Sequence, residues 1–192
     1  MSKKRTTAVV AAGLTVGLLV GPVQGVLAGH TNELLESQLN GRNEVASDGT
    51  KGNVGDPNGR GEAYVFGIDN AISATGTEVN SDTICYLIEV EKISGLENNP
   101  GAPYAAHIHE GQPGENGPVV VNLAFPTGGD AADCIGEDRV SPTGVSLFVR
   151  DEMGNTLTTA QEILANPADY YVNVHNAEFP TGAVRGQLEG HG

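Results

Sequence analysis

Apolar and polar residues alternate over most of this chain, and Gly or Pro interrupts the alternation repeatedly. One run shows the pattern clearly, because its large apolar residues, Tyr64, Phe66 and Ile68, share one side of an extended chain. Eight runs of this kind predict β-strands, at residues 33–40, 62–69, 83–93, 104–109, 119–123, 145–149, 170–175 and 183–188. Many short strands separated by turns favour an all-β fold, and we expect an antiparallel immunoglobulin-like or Greek-key β-sandwich.

One segment departs from this period and predicts a helix. Thr159 and Glu162 have the spacing of a capping box, in which each side chain accepts a hydrogen bond from a free backbone N–H at the start of a helix. Apolar Ile163 and Leu164 follow, and Pro167 ends the segment. We therefore expect one short helix, about two turns long, packed across one end of the sandwich.

Residues 41–61 are polar and rich in Gly, and they predict a mobile loop. Within this loop, Asp56-Pro57-Asn58-Gly59 has oxygen ligands at a calcium-like spacing. The distal Glu of an EF-hand is missing, however, so we favour a plain turn.

The first 28 residues have the three parts of a secretory signal. A basic start at Lys3, Lys4 and Arg5 precedes an apolar stretch, and small residues end the segment at Ala28. The apolar stretch is shorter than the roughly 20 residues of a membrane span. We therefore expect a signal peptide over 1–28 and one exported domain over 29–192, extracellular or periplasmic and without a membrane span.

The chain is strongly acidic, with 24 Asp and Glu against 10 Lys and Arg and a formal net charge of −14. The predicted signal contains three of the basic residues and none of the acidic ones. Such a surface repels nucleic acid and anionic lipid, so no nucleic-acid partner is expected. It suits association with metal ions or a cationic partner, but we favour the simpler explanation of solubility or adaptation to salt.

The chain has two cysteines, Cys85 and Cys134. An even number in an exported protein favours a disulfide, and an oxidising compartment argues against the alternative, a Cys metal ligand. The bond would close a loop of about 50 residues, which stabilises a fold by roughly 4 kcal/mol in the chain-entropy model.

Three histidines form the candidate site. His107 and His109 lie two residues apart in a predicted strand, so their side chains leave on the same face, roughly 6–7 Å apart. His175 ends the predicted strand 170–175, where it lies opposite in parity to the apolar Val172 and Val174. We expect the apolar residues to face the core and the three imidazoles to meet on the outer face. Imidazole suits copper and zinc, so we predict a copper or zinc site, with hydrogen bonds from the histidines to loops as the alternative.

Arg185 and Gln187 share a face of the last predicted strand. If this strand pairs with that of His175, both side chains border the site or bind an anion there. The alternative for Arg185 is an ion pair with a loop carboxylate such as Glu44. The sequence contains no Ser nucleophile motif, phosphate loop or zinc-protease helix, and we assign no catalytic residue.

The motifs around these residues resemble those of the CHRD domain, the module first described as repeats in chordin. They read LNGRNEV at 39–45, AHIHEG at 106–111 with GENGPVVV at 114–121, and YYVNVHN at 170–176 with FPTGAVRGQL at 179–188. The resemblance covers about residues 34–189. It implies an extracellular, immunoglobulin-like module, and our leading hypothesis is a secreted binding or matrix module without turnover, acting on an unidentified protein or matrix partner.

A second resemblance is to copper/zinc superoxide dismutase, an antiparallel sandwich with a His-x-His pair and a later copper-binding His. The resemblance implies that His107, His109 and His175 occupy those places and that Arg185 guides an anionic substrate. That family holds zinc with histidines in the loop after the first pair, whereas residues 110–134 contain no His. A metal-handling protein is therefore our second hypothesis and a dismutase-like enzyme the third.

Overall fold

The computed structural model describes residues 34–49, 54–68, 83–93, 96 and 105–191. The predicted signal peptide lies outside these ranges. The described strands are β1 Leu34–Asn40, β2 Arg60–Ile68, β3 Thr83–Glu91, β4 Ala106–Glu110, β5 Val119–Leu123, β6 Asp130–Gly136, β7 Tyr170–Val174, β8 Val184–Gln187 and β9 Glu189–Gly190. The helix α1 is Ala160–Ala165, and 3-10 turns lie at Gly41–Asn43, Thr127–Gly129 and Pro167–Asp169.

All the described strands join one antiparallel sheet in the order β5-β4-β7-β8-β1-β2-β3-β6, and β9 pairs with β1. In the part of the chain that the structure describes, the predicted all-β antiparallel architecture with one short helix is confirmed. Val121 of β5 and Ile135 of β6 come from opposite ends of this order, yet both belong to the same apolar cluster. The sheet therefore curves so that one of its faces encloses a shared core. The immunoglobulin-like or Greek-key sandwich stays a prediction.

Two strand predictions differ from the structure. Residues 145–149 were expected to form a strand, but this segment makes only isolated bridges, such as Val121 with Phe148. Strand β6 was not predicted, because its sequence, DAADCIG, is rich in Asp and Ala, which disfavour strands. Its ladder with β3 runs without a break from Thr83 opposite Gly136 to Glu89 opposite Asp130. Pairing with β3 thus overrides the weak local preference.

Alternate residues of a strand face the apolar core. In β2, however, the residues on the core side are the smaller apolar ones. In β2 the side chains of Ala63 and Val65 are fully buried, whereas Phe66 and Ile68 are about 40% exposed. The larger apolar set of this strand therefore lies on the other face of the sheet. The strand pairs with β1 on one side and with β3 on the other.

The predicted disulfide between Cys85 and Cys134 is present. The two residues are direct partners in the β3–β6 ladder, with their Cα atoms 4.0 Å apart. The bond therefore fastens the edge strand β6 to the rest of the sheet.

The predicted capping box is also present. Thr159 accepts a hydrogen bond from the backbone N–H of Glu162, and the Glu162 carboxylate accepts one from the backbone N–H of Thr159. Leu164 packs against the backbone of Gly67 in β2, where any side chain at position 67 would collide with it. The helix is thereby held against β2.

The sequence predicts a mobile loop over 41–61, whereas the described parts of this segment include the 3-10 turn Gly41–Asn43 and the first residues of β2. Gly41, Glu44 and Asp56 are buried, and the backbone N–H of Asp56 donates to the carbonyl of Ala183. The Asp56 carboxylate accepts hydrogen bonds from the N–H groups two and three residues later, which confirms the plain turn. The described parts of this segment lie over a second, polar face of the sheet, described next.

Candidate metal centre

The side chains of β4, β7 and β8 that point away from the apolar core form two rows across the sheet. One row consists of His107, Asn173 and Arg185, and the neighbouring row consists of His109, Tyr171 and Gln187. His175 follows directly after β7. The condition set for Arg185 and Gln187 is met, because β7 and β8 are paired, with Val174 opposite Val184.

This face is not an outer surface, contrary to our expectation. His109 is 8% exposed, Tyr171 1% and Arg185 2%. His107 and His175 are half-buried. The sheet therefore has a second buried layer, made mostly of polar groups, on the side opposite its apolar core.

Two loops cover the face and are tied to each other. The side-chain amide of Asn116 donates to the carbonyls of Val45 and Ala46, at 3.0 and 2.8 Å. The amide of Asn43 donates to the carbonyl of Arg185 at 3.1 Å. Segments 41–46 and 111–118 thus form one cover over β7 and β8, which is why the site is shielded from water.

The three histidines converge as predicted. Their ring centroids lie 5.6 Å apart for His107 and His109, 5.0 Å for His107 and His175, and 6.2 Å for His109 and His175. One ring nitrogen from each lies within 4.8 Å of the other two. Three nitrogens bound to a common ion at about 2.0–2.1 Å lie roughly 3.4 Å apart in a tetrahedron, so the three rings would have to move closer together to bind one.

Hydrogen bonds define the tautomers of two of these rings. The Nδ1 of His109 lies 3.0 Å from the carbonyl oxygen of Gly117, and the Nδ1 of His175 lies 3.2 Å from that of Pro180. A carbonyl only accepts, so each Nδ1 is the N–H donor. The Nε2 of each neutral ring then has a free lone pair, and both Nε2 atoms are buried with no hydrogen-bond partner among the described residues.

Burial keeps these rings neutral. Desolvation lowers the pKa of His109 from its ordinary value to about 4, and the positive charges that His175 and Arg185 can carry lower it further. The hydrogen bond to Gly117 opposes this shift but is weaker. Burial also lowers the pKa of His175. At neutral pH both rings therefore present the form that metals bind.

Tyr171 lies in the middle of the face and was missed in the sequence. Its ring stacks on His109, with centroids 4.8 Å apart and planes 9° apart, and the Arg185 guanidinium carbon lies 3.6 Å from its centroid. Since β7 runs between β4 and β8, the phenol ring separates the imidazole from the guanidinium. Its hydroxyl accepts a hydrogen bond from the Gly117 N–H, whose carbonyl orients His109.

Glu44 is a buried carboxyl group at the edge of the face. Desolvation raises its pKa to about 8, although the charge of Arg185 and a hydrogen bond from Asn173 act in the opposite direction. Its carboxylate fills the space beside Gly182, where a side chain would overlap it. The sequence suggested Glu44 only as a possible ion-pair partner, and gave no sign of its burial.

Gln187 links β8 to its surroundings, because its amide nitrogen lies within hydrogen-bond distance of the carbonyls of Gly111, Ala168 and Tyr170. Arg185 donates to the side-chain oxygen of Asn116 at 3.3 Å. Arg185 and Gln187 also line a cavity of about 450 Å³ beside the face. The anion-binding role that the sequence suggested for them stays a prediction.

In the described part of the chain, no helix combines the length and apolar character needed to cross a bilayer. The model of the CHRD domain family matches residues 35–188, which include every residue of the site. No curated protein and no solved structure shows a significant match to the chain.

Proposed function

Because the chain belongs to the CHRD domain family, we propose that it is an exported extracellular binding module that holds a copper or zinc ion at His107, His109 and His175. The disulfide between Cys85 and Cys134 supports export, since such bonds persist in oxidising compartments. The immunoglobulin-like sandwich that the resemblance implies is part of this proposal.

The observation that carries the proposal is the pair of buried, unpartnered Nε2 atoms of His109 and His175. A buried polar group without a hydrogen bond costs about 1–3 kcal/mol, so histidines that only pack would be expected to have both nitrogens bonded. In metal sites, by contrast, one ring nitrogen binds the ion and the other donates to a carbonyl or carboxylate. In both rings Nδ1 donates to a backbone carbonyl and Nε2 is free to bind an ion.

Holding an ion is supported better than turnover. The Nε2 atoms are enclosed, so a substrate has little access to an ion bound there. The dismutase resemblance lacks its second metal, because residues 110–134 contain no His. We therefore propose a binding role without catalysis, in which the occupied module contacts a protein or matrix partner through its acidic surface.

The test is metal affinity of the folded protein and of matched variants. Cu(II), Cu(I) and Zn(II) are titrated separately into wild type, His175→Ala and His191→Ala, with circular dichroism as the check on folding. His191 is the matched control, because it is an exposed histidine paired with Glu36, away from the site. We expect one ion per chain in wild type and in His191→Ala, and a loss of at least about 100-fold in His175→Ala. Equal affinity in all three proteins for every ion would refute the proposal.

A further inference from the structure

The charges around the three imidazoles disfavour a divalent ion. The candidate ligand set consists of histidines only, and no Asp, Glu or Cys joins it among the described residues. The guanidinium of Arg185, 2% exposed, acts electrostatically on His109, and the ring of Tyr171 contacts both side chains. Its effect on any bound cation is repulsive.

Glu44 does not reverse this balance. It interacts electrostatically with Arg185, so an ionised Glu44 cancels that positive charge and a protonated Glu44 leaves it uncompensated. In either state, Glu44, Arg185 and the three neutral rings together have a net charge of zero or more. A divalent ion would therefore bring two uncompensated charges into a buried layer.

The cost of burying an ion grows with the square of its charge, so a monovalent ion is penalised about fourfold less than a divalent one. Coordination number points the same way. Zinc in proteins is almost always four-coordinate, and the fourth ligand would be water or another donor. The Nε2 atoms of His109 and His175 are buried, and a Cu(I) ion held by three imidazoles needs no fourth donor.

We infer that the site selects monovalent copper, Cu(I), over divalent copper and zinc; this inference rests on the proposed metal-binding function. The ion is held by one nitrogen from each of His107, His109 and His175. Arg185 and the neutral ligand set provide the discrimination, by excluding ions that need negative charge or a fourth ligand.

Competition titrations test the selectivity. Cu(I) is supplied without oxygen, with ascorbate as reductant in place of a thiol, so that the disulfide stays intact, and its affinity is measured against a chromogenic Cu(I) chelator. Zn(II) and Cu(II) are measured against their own chelators. We expect one Cu(I) per chain, bound at least about 100-fold more tightly than Zn(II), and an X-ray absorption edge typical of three-coordinate Cu(I). The affinity should be lost in His175→Ala and kept in His191→Ala.

Other outcomes distinguish the selectivity for Cu(I) from the existence of the metal site. Zn(II) or Cu(II) bound as tightly as Cu(I), with the same loss in His175→Ala, would overturn the selectivity but leave the metal site standing. No binding of any ion would overturn both. Glu44→Gln adds a second readout, because we expect Cu(I) affinity to change by less than about threefold. A tenfold or greater loss of Zn(II) affinity in this variant, together with tight Zn(II) binding in wild type, would show that Glu44 compensates a divalent ion and would also overturn the inference.

Discussion

The ring of Tyr171 lies nearly parallel to that of His109, with centroids 4.8 Å apart, and the same tyrosine accepts a hydrogen bond from the Gly117 N–H. Gly117 in turn accepts the hydrogen bond from His109 Nδ1. One side chain thus supports the candidate ligand twice, by stacking and by holding the loop that sets its tautomer.

This arrangement predicts that Tyr171→Phe keeps the stack but leaves the Gly117 N–H without its acceptor. We expect a loss of about 1–2 kcal/mol in the free energy of unfolding, measured with urea, and a roughly tenfold loss of metal affinity. Tyr170→Phe is the matched control, because its hydroxyl bonds Thr158, away from the histidines. Equal effects of the two variants on metal affinity would contradict the positioning role of Tyr171.

Because the imidazole of His109 is buried, we predict that the protein loses stability in acid. The pKa of His109 in the folded protein, about 4, lies below the ordinary value of 6.5, so the unfolded chain takes up a proton first as the pH falls. The contribution of the neutral ring is fully present above pH 6.5 and is lost towards pH 4, with a slope of up to about 1.4 kcal/mol per pH unit. Urea unfolding of metal-free wild type and His109→Asn between these limits measures it. A ring proton signal of His109 that titrates near pH 6.5 would refute the prediction.

For Glu44 we predict the opposite dependence: its contribution to stability is lost as the pH rises. Its pKa is raised to about 8, so the folded state holds a proton that the unfolded chain has already released. Its contribution is fully present below about pH 4.5 and is lost as the pH rises through about 8. In Glu44→Gln the group cannot ionise, and we expect the variant to become more stable relative to wild type between pH 5 and 8.5. The exposed Glu152→Gln serves as control, and a constant difference between Glu44→Gln and wild type across this range would count against the prediction.

We predict that removal of the disulfide lowers the stability of the fold but does not change the affinity of the metal site. Cys85 and Cys134 lie 49 positions apart in the sequence, and removal of the disulfide in Cys85→Ala/Cys134→Ala should cost about 4 kcal/mol in urea unfolding. Strands β8, β1 and β2 separate the bond from the histidine strands, so the metal affinity of the folded variant should equal that of wild type. A parallel loss of affinity would show that the two regions are coupled.

Several features follow from local sequence alone. The parity of His107 and His109 within one strand, and of His175 against Val172 and Val174, placed the imidazoles on a common face. The capping box at Thr159 could likewise be predicted, because it depends on the spacing of nearby residues. The cysteine pairing could be predicted from the number of cysteines. Such features are set by backbone geometry and side-chain chemistry, which the sequence states directly.

Tertiary structure decided the rest. β6 forms because β3 offers a partner along its whole length, and the polar face is buried because the loops 41–46 and 111–118 close over it. The raised pKa of Glu44 and the enclosed Nε2 of His109 follow from that closure. Desolvation depends on which distant segments exclude water from a group, and the period of a single strand contains no information about that.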